Sequence, residues 1–161
     1  MTNNDFKHND SDSCCDKTLT LCNCVVEKMD FCDGTLRFVL PEGFWITQAH
    51  PENPLGRTVR TDEAVVDFPI KRMDDITVRV FTRDVYKNKK VVLWKMRDLM
   101  KAVNNGECTL ELLARYRTYF EIMWRCVIHS RKKSYDRECQ LHLPETGAVF
   151  RWNDLRPDCG E

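Results

Sequence analysis

The sequence predicts an α+β fold, with an antiparallel sheet of about five to seven short strands and an antiparallel helical hairpin packed on one face. In its first half, short runs rich in β-branched and aromatic residues alternate with turns that contain Pro or Gly. After Tyr86 the apolar residues recur at a helical spacing. After Arg137 they alternate again, as Cys139, Leu141 and Leu143 do. Strands and helices that are segregated along a chain in this way are typical of α+β domains.

Length and composition indicate one domain preceded by a short tail. The chain has 161 residues, of which 42% are hydrophobic, and this is enough to bury one core. Residues 1–13 are rich in Asn, Asp and Ser and contain one large apolar residue, Phe6, so we expect a disordered polar tail there. Residues 14–161 form the predicted globular domain.

Five strands are predicted before the helices, at 35–40, 44–47, 57–61, 64–68 and 76–82. The last of them alternates most regularly, with Ile76, Val78 and Val80 on one face. A second group follows the helices, at 139–143 and 148–152, and Pro144 and Gly147 supply its turn. These segments account for the predicted sheet.

The spacing predicts two helices between these strand groups. The first has an apolar stripe from Val92 to Val103, and Gly106 favours its termination because glycine readily adopts the left-handed conformation. The second helix is predicted over about 110–130, where Glu-to-Arg pairs four residues apart lie on one side. Its predicted apolar face consists of Leu113, Tyr116, Phe120, Met123, Trp124 and Val127.

Charge is distributed unevenly along the chain. The 25 basic and 25 acidic residues cancel, yet residues 87–137 carry 13 basic and 5 acidic side chains, a local net charge of +8. A basic helical region of this kind, with Phe81, Tyr86, Trp94 and Tyr119 nearby, can contact phosphates and stack on bases. We therefore expect a non-enzymatic accessory or regulatory protein that binds a polyanion, most plausibly nucleic acid, or else an acidic protein surface. The predicted binding residues are Arg79, Arg83, Lys87, Lys89, Lys90, Lys95, Lys101, Arg131, Lys132 and Lys133.

The nine cysteines suggest reduced thiols rather than a disulfide framework. Their number is odd and no export signal precedes them, which favours a reducing, cytoplasmic setting. A zinc site would have to come from Cys15, Cys22, Cys24 and Cys32, but their spacing is unlike that of common zinc motifs. We therefore expect no cofactor. No stretch is apolar enough to span a membrane, because 110–128 contains five charged residues.

Two alternatives to polyanion binding remain open. The first is an inhibitor or adaptor that binds another protein through surface aromatics such as Trp45, Trp94 and Trp152. The second is an enzyme whose Cys/His or carboxylate site lacks a recognisable motif. The four histidines of the chain lie in segments where histidine is commonly exposed to solvent or placed at a helix end. The sequence contains no phosphate loop or nucleophile elbow. No catalytic residue is therefore assigned.

Overall fold

The computed structural model describes residues 6–10, 18–132, 136–144 and 147–160 of the chain. These residues form an almost entirely β structure with one α-helix and one 3-10 turn, so the predicted α+β fold with a helical hairpin is wrong. In chain order the elements are β1 (Phe6–Asp10), β2 (Leu19–Thr20), β3 (Cys24–Val26), β4 (Lys28–Cys32), β5 (Thr35–Leu40), β6 (Trp45–Ile46), β7 (Val59–Thr61), β8 (Ala64–Pro69), a 3-10 turn (Met73–Asp75), β9 (Thr77–Arg83), β10 (Lys89–Trp94), α1 (Met96–Asn104), β11 (Cys108–Arg117), β12 (Glu121–Ser130), β13 (Arg137–Pro144), β14 (Ala148–Trp152) and β15 (Leu155–Gly160).

The strands pair antiparallel in three sheets. The largest has six strands in the order β10-β9-β13-β12-β11-β3. A five-stranded sheet has the order β1-β14-β8-β5-β4, and a small four-stranded sheet has the order β15-β7-β6-β2. In the six-stranded sheet, three pairs of strands that follow each other in the chain are neighbours, namely β9–β10, β11–β12 and β12–β13, and α1 connects β10 to β11.

One hydrophobic cluster lies between the two larger sheets. It includes Phe38 of β5 and Val66 of β8 from the five-stranded sheet, and Leu141 of β13 from the six-stranded sheet. Every second residue of β5 and, from Cys139 onwards, of β13 is buried, as expected when two sheets each bury one face. Burial of these faces provides the main driving force for folding.

The segment predicted as the second helix is the β11–β12 hairpin. Of its predicted apolar face, Trp124 alone is buried; Tyr116 and Phe120 are exposed. The residues that enter the core instead alternate along β12, at Ile122, Trp124, Cys126 and Ile128. The buried residues of this segment therefore have the two-residue period of a strand and not the 3.6-residue period of the predicted helix. The aromatic and β-branched composition of the segment also suits a strand.

The predicted first helix is shorter than expected. Helix α1 begins at Met96, because Val92 belongs to β10. It buries Met96, Leu99 and Val103, and it ends as expected before Gly106, whose φ is +71°. The amphipathic pattern therefore corresponds to a helix only from Met96 onwards, because the residues up to Trp94 belong to β10.

The other strand predictions agree closely with the structure. The ranges 35–40 and 148–152 coincide with β5 and β14, and 44–47, 57–61, 64–68, 76–82 and 139–143 each overlap a strand. Of the predicted tail, 1–13, the structure describes residues 6–10 alone, which pair with β14 as β1. The remainder of that tail lies outside the described residues.

Candidate functional site

Four of the predicted binding residues lie together on the β9–β10 hairpin. The register places Lys89 directly opposite Arg83, and Lys90 follows Lys89 along β10. Lys87 belongs to the turn between the two strands. All four side chains are exposed. Residues directly opposite each other on antiparallel strands have Cβ atoms about 5 Å apart. The positive charges of Arg83 and Lys89 are therefore close to each other.

The turn that carries these cations is held by one aspartate. The side chain of Asp84 accepts hydrogen bonds from the backbone N–H groups of Tyr86 at 2.9 Å and Asn88 at 2.8 Å. The Asp84 backbone N–H also donates to the Asn88 carbonyl at 2.9 Å. Lys87 adopts a φ of +63°, a conformation that turn bonding must stabilise in a residue other than Gly. The hairpin tip is therefore an ordered turn.

The β12–β13 loop adds Arg131 and Lys132 at the same end of the sheet. β13 runs antiparallel to β9, with Cys139 opposite Val80. Residues before Cys139 therefore lie beside residues after Val80. Arg131 and Lys132 are exposed in this loop, and the predicted Lys133 lies outside the described residues. We call the set Arg83, Lys87, Lys89, Lys90, Arg131 and Lys132 the basic end.

Three predicted residues do not belong to the basic end. Arg79 projects from the middle of the six-stranded sheet, where it lies between Leu93 and Gln140 in the register. Lys95 follows β10 at the end remote from the tip, about 20 Å along the strand from Lys89 at the usual rise per residue. Lys101 lies on α1. These three residues therefore lie apart from the basic end, whereas a continuous helical surface would have brought Lys95 and Lys101 close to it.

A cavity of about 630 Å³ opens beside the basic end. It lies where β9 and β13 separate, since their registered pairs stop at Val80 and Cys139 although β9 continues to Arg83. The predicted set included two of its lining residues, Arg83 and Lys89. Arg137, which also lines the cavity, was not in that set. The residues that line it include Phe81, Arg83, Lys89, Asp136, Arg137 and Glu138.

The two acids of this cavity already have partners outside it. Asp136 Oδ2 lies 2.8 Å from His129 Nδ1, and Glu138 Oε1 lies 3.4 Å from an Arg125 guanidinium nitrogen. The ion pairs found among the described residues do not involve Arg83 or Lys89. Asp136 and Glu138 therefore neutralise less of the positive charge of the basic end than their number suggests.

His129 is held between two carboxylates. Its Nε2 lies 2.6 Å from Glu111 Oε2, and Asp136 contacts the other ring nitrogen. Partial burial lowers the pKa of His129, but the hydrogen bonds and charges of Glu111 and Asp136 outweigh that effect and raise the pKa above its usual value. Glu111 and Asp136 thus stabilise the protonated form of this imidazole.

Of the four candidate zinc ligands, the three that the structure describes form no group that could hold a metal ion. Cys22 is exposed and its Sγ–H donates to the Leu113 carbonyl at 2.7 Å, whereas Cys24 is buried and burial raises its pKa. Cys32 is exposed at the end of β4, and Cys15 lies outside the described residues. Within the described parts of the chain, no group of three or more His, Cys, Asp or Glu side chains is arranged to hold a metal ion.

The aromatic residues divide between interior and surface. Trp152 is fully buried, so it cannot anchor a partner, and Trp94 is partly covered by Arg137, whose Cζ lies 5.8 Å from its ring centre. Tyr86 is 82% exposed at the β9–β10 tip. Tyr119 and Phe120 are also exposed, at the tip of the β11–β12 hairpin, which lies at the opposite end of the sheet. Tyr86 is thus the exposed ring that accompanies the basic end.

Comparison of the chain with protein-family models, with curated proteins and with solved structures gives no match. Among the described residues, no helix has both the length and the apolar character needed to cross a membrane.

Proposed function

We propose that this chain is a non-enzymatic binding protein that engages a nucleic acid through the basic end of the six-stranded sheet. The observation that carries the proposal is the pairing of Lys89 with Arg83 across an ordered hairpin, with Lys90 next along β10 on the other face and no ion pair to either Arg83 or Lys89 among the described residues. Like charges placed opposite each other weaken a hairpin. A polyanion that contacts both would remove this repulsion.

Phosphate binding is the chemistry that such a surface suits best. Arginine forms bidentate hydrogen bonds with phosphate oxygens, and lysine adds flexible point charges. Each phosphate contact releases condensed counterions, which makes the affinity fall steeply with salt. The overall neutrality of the chain fits a contact confined to one end rather than a coat of charge over the whole surface.

The test is the salt dependence of binding to a labelled single-stranded oligonucleotide. With about four phosphate contacts, the affinity should fall about fifty-fold between 50 and 200 mM salt. The double variant Lys89→Gln/Lys90→Gln should bind more weakly and show a shallower dependence on salt.

The matched control replaces two exposed lysines outside the basic end, as Lys28→Gln/Lys71→Gln, which changes the net charge equally. This control should bind as the wild type does. Equal losses in both double variants, or binding that does not respond to salt, would show that the basic end is not the contact surface.

A second candidate function, a protein-binding inhibitor or adaptor, is supported by the tip of the β11–β12 hairpin. Tyr119 and Phe120 are 89% and 83% exposed, and the Thr118 side chain accepts hydrogen bonds from the backbone N–H groups of Phe120 and Glu121. Exposed aromatic anchors dominate many protein interfaces. This candidate predicts a complex that survives nuclease and high salt, and that Phe120→Ser abolishes while Lys89→Gln/Lys90→Gln does not.

A further inference from the structure

We infer that the cavity between β9 and β13 takes up an unstacked nucleobase bearing an amino group, so that the chain prefers single-stranded nucleic acid to a duplex. This inference rests on the proposed function, since it assigns the class of nucleic acid to the same surface. It starts from the cavity itself, whose volume of about 630 Å³ lies in the range typical of small-molecule sites.

The walls of the cavity combine the three kinds of group that a nucleotide requires. Phe81 offers an aromatic face, and Arg83 and Lys89 offer positive charge at the side where the hairpin begins. Asp136 and Glu138 offer carboxylate oxygens on the β13 side. Stacking, phosphate contact and acceptance of base N–H groups can therefore occur within one site.

The carboxylates determine which bases fit. Asp136 uses one oxygen for His129 and Glu138 uses one for Arg125, which leaves the second oxygen of each as a further acceptor. Carboxylates accept hydrogen bonds from exocyclic amino groups, such as that of cytosine. Uracil and thymine lack such a group and present carbonyl oxygens instead. Cytosine or adenine should thus be preferred to uracil.

Tyr86 provides a second stacking surface next to the cavity. It stands in the turn between Arg83 and Lys89, and its ring is 82% exposed. Because Asp84 fixes the turn, little conformational freedom is lost when a base stacks on this ring. The bases of a duplex are already stacked and paired, so a duplex could use the cations of the basic end but neither the ring nor the cavity.

Binding of the full chain is measured by the fluorescence anisotropy of labelled oligonucleotides at 50 mM salt. The oligonucleotides are 12-mers of C, A and U and a 12-base-pair duplex. The C and A strands should bind at least ten-fold more tightly than the duplex, and more tightly than U. Tyr86→Ala should weaken single-strand binding about five- to one-hundred-fold and leave duplex binding unchanged. Tyr119→Ala, an equally exposed tyrosine at the other tip, is the control and should change neither.

A further variant separates base recognition from charge. Glu138→Gln should remove the preference for C over U without making the response to salt shallower. If duplex and single strand bind alike and Tyr86→Ala has no effect, while Lys89→Gln/Lys90→Gln still weakens both, then the inference fails and the proposed function stands. If none of the oligonucleotides binds at 50 mM salt, both fail.

Discussion

His129 shows how one side chain joins separate strands of the six-stranded sheet. Glu111 belongs to β11, His129 belongs to β12, and Asp136 immediately precedes β13, so both ring nitrogens bond to carboxylates from flanking segments. The protonated ring forms two charge-assisted hydrogen bonds, whereas the neutral ring can donate only one. Its charge state is therefore coupled to the packing of three neighbouring segments.

This arrangement predicts a pH dependence of stability. Because the folded pKa of His129 is raised above the ordinary value of about 6.5, its contribution is fully present below that value and is lost as pH rises through the folded pKa. The urea midpoint should therefore fall between pH 6 and pH 8 more steeply for the wild type than for His129→Gln. An identical slope in the two proteins would contradict this account; Asp136→Asn should give an intermediate slope.

Gly43 provides a second prediction at the level of single residues. Its φ is +68°, and a Cβ atom there would overlap Thr61 Oγ1 and the backbone oxygens of Thr61 and Asp62. Gly43→Ala should therefore lower the free energy of unfolding by about 2 to 4 kcal/mol through backbone strain and overpacking.

Gly56 is the matched control for that substitution. It has nearly the same φ, +67°, but nothing lies within 4 Å of a Cβ added there. Gly56→Ala should cost about 1 kcal/mol, because it adds strain without a clash. Urea denaturation of the two variants measures the difference, and equal costs would mean that the close approach at Gly43 is relieved by small movements of the chain.

At the scale of elements, sequence patterns were informative where one face of a strand is apolar and the other polar. β5 and β14 were predicted with the bounds that they have, since each is flanked by turn residues. The β11–β12 hairpin carries apolar residues on both faces, with Leu112 and Ile122 inside and Leu113 and Met123 on the other side. A period of 3.6 can be fitted through such a set. The turn between the two strands contains no Gly, Pro, Asn or Asp, so no local turn signal distinguishes this hairpin from a helix.

The charges on that hairpin confirm its strand geometry. Three of the residues expected to pair along one helical face have partners on other strands: Glu111 bonds to His129, Glu121 bonds to His142, and Arg125 bonds to Glu138. Each of these partners lies on a neighbouring strand or on the opposite arm of the hairpin. Cross-strand contact thus replaces the contact along a helix.

The five-stranded sheet contains an ion pair whose removal should be costly. Asp67 of β8 is buried and receives two hydrogen bonds from the Arg37 guanidinium of β5, at 2.6 and 2.8 Å, while Arg151 Nε of β14 lies 3.6 Å away. Asp67→Ala leaves the two arginines without this carboxylate, so we expect the free energy of unfolding to drop by about 2 kcal/mol.

The exposed Arg72–Asp75 pair offers the comparison. The two side chains lie 2.9 Å apart and are 75% and 33% exposed. Asp75→Ala should cost less than about 1 kcal/mol, since solvent screens surface pairs. Chemical denaturation of both variants in the same buffer tests whether burial, rather than the number of hydrogen bonds, determines the difference.

At the scale of the whole molecule, the sequence indicated that positive charge is concentrated in one segment. It did not indicate the shape of the surface that carries this charge. The local excess over 87–137 identified Lys87, Lys89 and Lys90, because charge can be counted without knowledge of the fold. Lys95 and Lys101 were included because a helix would have placed them on the same surface; in the sheet they lie elsewhere. Neither the cavity nor its acids could be predicted, because they come from segments about fifty residues apart that antiparallel pairing brings together.

Strand β10 forms one border of the six-stranded sheet, since it pairs with β9 alone among the described strands. Its outward amides and carbonyls form a template on which another extended chain could dock, and Val91 and Leu93 are 51% and 69% exposed beside it. The positive charges of Lys89 and Lys90 repel the same strand edge of a second copy of this chain. Concentrated salt screens that repulsion, so stored preparations should keep best at low ionic strength, and light scattering should rise first in Lys89→Gln/Lys90→Gln. The two lysines would then oppose polymerisation through the edge of β10.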